Sequence, residues 1–276
     1  MKTIIAPTDF SLTATNATSY AADLAVAIQA DLLLLHVAAM PMNFSEIPVP
    51  TEGILAEIIK DAEINIRRLQ KELLQRTGGK INIYTEIRMG IVMRELEDLC
   101  EIRKPAAVVM GTQGAGSIER FLFGSNTISA ITHLDWPLIA VPPEASFKGI
   151  RKIGLACDFR KVIETVPVQE IRDLVNELQA ELHILHSCRQ DKPWVNPQQV
   201  EESGWLQEMF NDLHPHYHYL NSADIDEGIS EFVQSNNLDL LIVIPKKHSL
   251  YHKLLNRSHS RTLVLHAHVP VMAVHE

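Results

Sequence analysis

The chain has 276 residues, of which 46% are hydrophobic and 21% charged, which suits about two ordinary domains with sizeable cores. This composition excludes an intrinsically disordered chain, a collagen-like fibre and a small disulfide-stapled fold. The formal net charge of −9, without a basic stripe, argues against nucleic acid or an anionic membrane as the main partner.

The apolar runs and the cysteines indicate the cellular compartment of the protein. No run approaches the roughly 18 apolar residues that a membrane-spanning helix needs, and Asp9 interrupts the N-terminal apolar run too early for a signal peptide. The three cysteines are odd in number and widely spaced, which indicates a reducing compartment. We therefore expect a soluble, cytoplasmic protein.

Apolar runs alternate with helical patterns along the first half of the chain. This alternation is typical of βαβ units around a parallel sheet. A Gly78-Gly79 pair marks the end of the second predicted helix. The predicted strands lie near residues 2–7, 31–37, 81–87, 106–110 and 137–141, and the predicted helices span 14–30, 54–76, 93–102 and 125–133.

The second half of the chain repeats the first. The opening apolar run that ends in Asp9-Phe10 recurs 149 residues later and ends in Asp158-Phe159. Three further apolar segments have counterparts in the second half: 32–37 with 182–187, 106–110 with 240–244, and 136–141 with 269–274. The chain is therefore interpreted as a tandem duplication.

The predicted fold class is α/β, with two doubly wound, five-stranded parallel-sheet domains joined by a linker at residues 142–150. Ligands of such sheets bind beyond the carboxyl ends of the strands, where the strand order reverses. The site in the first copy should therefore involve Asp9, Val37 and the loop that follows Met110.

That loop contains glycines at a spacing that suits phosphate binding. Gly111 and Gly114 follow the predicted strand, and we expect them to allow a turn with positive φ and a close approach to a ligand. Gly124, Ser125 and Asn126 open a helix, whose free N–H groups and Ser125 hydroxyl could contact a phosphate. Arg120 would add a charge-assisted contact. Taken alone, the pattern also fits an ordinary turn followed by a serine N-cap.

The motif Gly-x2-Gly-x9-Gly-Ser, at Gly111, Gly114, Gly124 and Ser125, resembles the nucleotide-binding signature of the universal stress protein family. The resemblance extends to the opening Pro-Thr-Asp-Phe-Ser, the His-Val strand end, the methionine before the motif, and the closing Trp-Pro-Leu-Ile-Ala-Val. These segments span nearly all of the first copy. The whole chain thus looks like a tandem member of the family.

The resemblance implies roles for individual residues. Asp9 would contact the sugar end of the nucleotide, and the backbone of Val37 would contact the adenine. The motif glycines and Ser125 would wrap the phosphates of ATP, ADP or AMP, with or without Mg²⁺. It also implies a fold of the adenine nucleotide alpha hydrolase-like type, with a universal stress domain at 1–145 carrying the intact motif and a second at 150–276 carrying a degenerate one.

Family members commonly dimerise through their last strand, and a tandem chain can satisfy this contact internally. The resemblance therefore implies an internal pseudo-dimer in which the segment from Leu138 to Val141 pairs with the segment from Val271 to Val274. Such pairing would also cover two sheet edges. The resemblance is also compatible with a homodimer of two whole chains.

The second copy departs from the motif. Its loop after Ile244 begins with Pro245, which has no N–H to donate, and Arg257 aligns with Gly124. The second copy is therefore interpreted as a structural partner or as a site for another ligand. Its basic cluster of Lys246, Lys247, His248, His252, Lys253 and Arg257 fits either a solvated loop or an anion site.

Histidines are concentrated in the second half. His214, His216 and His218 would lie on one strand face at a period of two, a pattern that could hold zinc. No cysteine or carboxylate stands at a zinc-ligand spacing with them, so we favour an edge strand with solvated histidines and expect no metal site.

The sequence is compatible with three functions. The leading hypothesis is a non-enzymatic, ATP-binding regulator of the stress response, since the loop of the first copy shows no catalytic triad, paired carboxylates or Walker lysine. The first alternative is a slow ATP-hydrolysing or adenylyl-transferring enzyme. The second is an interaction module without a nucleotide, in which the glycine loop is only a turn.

Overall fold

The computed structural model describes residues 2–39, 52–112, 125–189, 197–222, 224–245 and 268–275. In the first half, the strands are β1 (Thr3–Pro7), β2 (Asp31–Ala38), β3 (Ile83–Met89), β4 (Ala107–Gly111) and β5 (Leu138–Val141). The helices are α1 (Leu12–Ala27), α2 (Glu52–Thr77), α3 (Val92–Arg103) and α4 (Ser125–His133). The predicted elements of the first half are thus present, with ends shifted by up to three residues.

The second half continues the same alternation. Its strands are β6 (Lys152–Ala156), β7 (Glu181–Arg189), β8 (His216–Ser222), β9 (Leu240–Val243) and β10 (Val271–Ala273). Its helices are α5 (Val162–Thr165), α6 (Val168–Leu178), α7 (Pro197–Met209) and α8 (Ile225–Ser235), with a 3-10 turn at Asn211–Leu213.

All ten strands belong to one sheet, in the order β3-β2-β1-β4-β5-β10-β9-β6-β7-β8. From the outermost strand to the centre, the order is β3-β2-β1-β4-β5 in the first half and, equivalently, β8-β7-β6-β9-β10 in the second. Every pairing within a half is parallel. Strands β5 and β10 are antiparallel, with Met272 opposite Ile139. The α/β fold class and the doubly wound strand order of each half are therefore confirmed.

Helix ends follow local chemistry. Helix α1 begins two residues before the predicted start because the Ser11 hydroxyl accepts a hydrogen bond from Ala14 N, at 3.2 Å. It ends early because Gln29 adopts a left-handed conformation, with φ of 51°, and Ala30 N bonds back to Ala25 O. Gly78 and Gly79, both at positive φ, follow the end of α2 as predicted.

Helices cover both faces of the sheet, so neighbouring residues of one strand enter different cores. Ile4 of β1 belongs to one core and Ile5 to the other, and both are fully buried. Each core includes strand residues from both halves of the chain. This two-sided burial explains the continuous apolar strands of the sequence.

The segment after β5 packs against α1. Asn16 Nδ2 donates to the carbonyl oxygens of Pro142 and Ala145, at 3.2 and 2.9 Å. The Phe147 ring meets Tyr20 edge-on, with centroids 5.3 Å apart. Much of the predicted linker is therefore fixed to the first half. In the part of the chain that the structure describes, no helix is long and apolar enough to cross a membrane.

Candidate functional site

The strand order of the first half reverses between β1 and β4, the place where doubly wound sheets form a crevice for their ligands. The chain leaves β1 towards β2 on one side and returns to β4 on the other, so the connections diverge at the carboxyl ends of these strands. Asp9 follows β1, Val37 lies near the end of β2, and Gly111 ends β4. The fold thus brings these three predicted residues to the same side of the sheet, at the carboxyl ends of its strands.

The turn after β1 holds the Asp9 carboxylate at this edge. Asp9 is exposed, and its Oδ1 accepts a hydrogen bond from Ser11 N at 3.0 Å. The buried Thr8 hydroxyl accepts from Phe10 N, also at 3.0 Å, while Phe10 itself has a φ of 62°. These short-range bonds compensate a backbone conformation that residues other than glycine rarely adopt.

Phe10 and His36 form a stacked pair beside this turn. Their ring centroids are 4.5 Å apart at an interplanar angle of 29°. His36 Nδ1 lies 2.8 Å from Thr8 O and donates to it, so Nε2 of the neutral ring is left as an acceptor. Sequence analysis missed this pair, although the recurrence of Asp-Phe and of the strand-end histidine in both copies was a signal for it.

Gly111 has a different role from the one expected. Its φ is not positive; the glycines with positive φ in the described residues are Gly78, Gly79, Gly90 and Gly149. A Cβ at Gly111 would instead lie 2.9 Å from both Cγ2 and the carbonyl oxygen of Thr13 in α1. The expectation of a positive-φ turn at Gly111 was therefore wrong, because the glycine serves the close packing of β4 against α1.

Helix α4 is described from Ser125 onward. The side chains of Ser125 and Asn126 are exposed at its first turn, whereas Thr127 is buried and its hydroxyl donates to Gly111 O at 2.8 Å. This contact, which sequence analysis missed, ties the helix to the end of β4. The side chain of Met110 is buried in a core. Gly114, Arg120 and Gly124 lie outside the described residues.

The second half repeats the Asp-Phe-His arrangement. Phe159 has a φ of 49° and stacks on His186 with centroids 4.3 Å apart. His186 Nδ1 donates to Cys157 O at 2.9 Å, and Asp158 Oδ1 accepts from Arg160 N at 3.2 Å. The duplication therefore preserved the geometry of this turn.

Burial distinguishes the two copies. Phe159 is 3% exposed and His186 5%, whereas Phe10 and His36 are only half-buried. The Tyr219 ring lies 6.2 Å from both Phe159 and His186. Burial lowers the pKa of His186, because the charged imidazolium loses its hydration.

The helix that follows β6 also differs from its counterpart α1. Pro167 separates α5 from α6, whereas α1 is continuous. The first turn of α5 is capped by the buried Glu202 of α7, whose Oε2 accepts from Val162 N at 2.7 Å. A carboxylate already occupies this helix start, so an added anion there would be repelled. Pro245 is the last described residue of the loop after β9, and the predicted basic cluster lies outside the described residues.

The histidine prediction needs correction. His214 precedes β8 in a left-handed conformation, so it is not on the strand with His216 and His218. β8 is an edge strand, as expected, but His218 is half-buried, and it lies beside His183 of β7, which is 8% exposed. The expectation of solvated histidines was thus wrong for His218. Among the residues that the structure describes, no group of three or more histidine, cysteine or acidic side chains is arranged to hold a metal ion.

The sequence model described as "Universal stress protein family" matches residues 1–142 and 215–275, which is more than half of the chain. A universal stress protein of Methanocaldococcus jannaschii is 27% identical over 143 residues, which make up 51% of this chain and 81% of that protein.

Two solved structures resemble the whole chain. A universal stress protein from Archaeoglobus fulgidus has a TM-score of 0.74 at 16% identity, covering 99% of this chain and 98% of its own. A protein of unknown function from Pseudomonas aeruginosa has a TM-score of 0.64 at 10% identity, covering 100% and 92%. At these identities the likeness shows the fold.

Proposed function

Because the chain belongs to the universal stress protein family, we propose that its first half binds an adenine nucleotide at the crevice between β1 and β4. The observation that carries this proposal is the convergence of Asp9, Val37 and Gly111 on one sheet edge, with the start of α4 held there by Thr127. A helix start beside the carboxyl ends of parallel strands is a favourable place for phosphate groups.

We assign the following roles within the site. Asp9 contacts the sugar end of the nucleotide, and backbone groups of Val37 contact the adenine. The phosphates lie against the loop from Gly111 to the first turn of α4, with Mg²⁺ as an optional companion. The loop contributes Gly111, Gly114, Arg120, Gly124, Ser125 and Asn126, while Met110 anchors the strand from the core.

The second half acts as the structural partner of the first. The buried Phe159–His186 pair and the Glu202 carboxylate leave it a less suitable nucleotide site. We propose domain limits of 1–145 and 150–276, with the β5–β10 pairing acting inside one chain as the interface of a pseudo-dimer.

We further propose that the protein is a non-enzymatic, cytoplasmic regulator of the stress response. A nucleotide bound against the loop before α4 would change the surface that a partner contacts. Such a ligand shifts the equilibrium between two conformations only through its different affinities for them.

The decisive experiment measures the thermal midpoint with and without millimolar ATP and Mg²⁺. We would compare the wild type with Asp9→Asn and with the matched control Asp158→Asn, which changes the equivalent turn of the second half. At a micromolar dissociation constant, millimolar ATP stabilises the native state by about 4 kcal/mol. The wild type and Asp158→Asn should therefore show a rise of several degrees that Asp9→Asn reduces.

Equal responses of the two variants would contradict the assignment of Asp9, and no rise in the wild type would refute ATP binding at this concentration. ADP and AMP under the same conditions show how much of the affinity the terminal phosphates supply.

A further inference from the structure

Three imidazoles lie together on one face of the β7–β8 edge of the sheet. His183 of β7 is paired in register with His216 of β8, and His218 is two residues further along. The His183 ring stacks on both, with centroids 5.1 Å from His216 and 5.3 Å from His218. His183 Nδ1 and His218 Nε2 are 3.0 Å apart and share a hydrogen bond.

This face of the sheet lies under helix α8. His218 also contacts the Phe232 ring of α8, at a centroid distance of 4.5 Å. Leu185 and Val233 pack in the core on the same side. The His183–His218 pair therefore joins β7, the edge strand β8 and the covering helix.

The pair holds one proton between its facing nitrogens and has no room for a second. In the neutral pair, one nitrogen donates and the other accepts. When both rings are protonated, two N–H groups and two positive charges face each other across 3.0 Å. Burial lowers the pKa of His183 and of His218, and the nearby His216 lowers both further.

The charged and titratable groups around the His183–His218 pair determine the free energy needed to protonate it. On β7, the exposed Glu181 has its Oε2 3.6 Å from His183 Nε2, which favours the charged ring. On β6, Gly154 lies opposite His183, and Lys152 opposite Glu181. On β8, His216 is exposed. Helix α8 contributes Phe232 to the contact and carries Asp226, Glu227 and Glu231, of which the two glutamates are exposed.

We propose that the His183–His218 pair is a proton-sensitive latch that holds β8 and α8 on the sheet at neutral pH and loosens them in mildly acidic solution. Local opening separates the two rings and restores their hydration, so the open state takes up protons that the closed state excludes. Each extra proton bound by the open state favours opening by about tenfold per pH unit.

The test is amide hydrogen exchange of the full chain at about pH 7.5 and about pH 5.5, on either side of the ordinary histidine pKa. Rates are corrected for the intrinsic pH dependence of exchange. The internal control is β3, which is the opposite edge strand and contains no histidine. Protection of β8 should fall at least tenfold more than protection of β3.

A double variant separates the latch from other acid effects. His183→Asn and His218→Gln place amide groups where the facing ring nitrogens were, so a hydrogen bond remains but titration is lost. In this variant, the pH dependence of β8 should match that of β3. The idea is overturned if wild-type β8 loses no more protection than β3, or if the double variant retains the wild-type loss.

A second variant keeps both histidines and guards against misfolding of the first. The closed pair can take up one proton on the outer His183 Nε2, beside Glu181, without losing the hydrogen bond between the facing nitrogens. Glu181→Gln removes the carboxylate that favours this proton, so the closed state binds fewer protons in acid and opens more readily. We expect β8 to lose about two- to fivefold more protection at the lower pH than in the wild type. A factor of this size corresponds to the free energy of an exposed ion pair. An unchanged or smaller loss would mean that protonation of this pair is not the source of the pH dependence of β8.

Discussion

Gly111→Ala tests the close contact between the end of β4 and the first turn of α1. The added Cβ would lie 2.9 Å from the carbonyl oxygen of Thr13, 2.9 Å from its Cγ2 and 3.1 Å from its carbonyl carbon. Two of these atoms belong to the backbone of a helix whose N-cap is Ser11, so relief requires movement of β4 or α1. The substitution therefore disturbs the candidate nucleotide site.

Gly154→Ala is the matched control in the second half. A Cβ at Gly154 would lie 2.8 Å from Leu238 Cδ1 and 3.3 Å from Leu241 Cδ1, which are tips of flexible side chains. Overpacking costs about 1–3 kcal/mol in well-packed cores. We expect the destabilisation by Gly111→Ala to lie near the upper end of this range and that by Gly154→Ala near its lower end, because a side-chain tip moves more easily than a helix backbone.

The assay is urea unfolding of both variants and the wild type at neutral pH. The effect of glycine replacement on the unfolded chain, about 0.4–1 kcal/mol, is common to both variants and cancels in their comparison. Gly111→Ala should therefore be less stable than Gly154→Ala by about 1–2 kcal/mol, and its ATP response should be smaller. Equal stabilities, or a greater loss for Gly154→Ala, would refute the argument from the Thr13 backbone.

Two further predictions concern the second half. Glu202→Ala should lower the free energy of unfolding by about 1–3 kcal/mol, since it leaves the buried Val162 N without its acceptor; urea unfolding against the exposed Glu201→Ala measures this, and equal losses would contradict it. His186 has a lowered pKa in the folded state, so the unfolded state binds more protons once the pH falls below about 6.5. Stability should therefore fall towards acidic pH by up to about 1.4 kcal/mol per pH unit for this group. His186→Asn should reduce that slope in urea titrations, and an unchanged slope would exclude His186 as its source.

Local patterns predicted the elements of the first half well. Strand burial produces continuous apolar runs, and helix ends carry chemical signals such as the Gly78-Gly79 pair after α2. The repeat of Asp-Phe indicated that the second half would follow the same strand order. These features depend on neighbouring residues, so a single sequence displays them.

Contacts between residues that are far apart in the chain could not be predicted from the sequence. Glu202 caps a helix 40 positions away, and Gly111 is small because Thr13 of another element occupies the space beside it. The expectation of a positive φ at Gly111 failed for this reason. The expectation that His214 shares a strand face with His216 and His218 failed because the strand begins only at His216.

The sequence by itself determined the α/β class, the duplication and the places where the strands of the first half begin and end, because burial and helix capping act through residues close in the chain. Only the tertiary structure decided which side chains meet. The register of β7 against β8 places His183 among the histidines of β8, and the approach of α1 to β4 places Thr13 against Gly111. Register and side-chain contacts follow from the packing of whole elements, and no local pattern of residues records that packing.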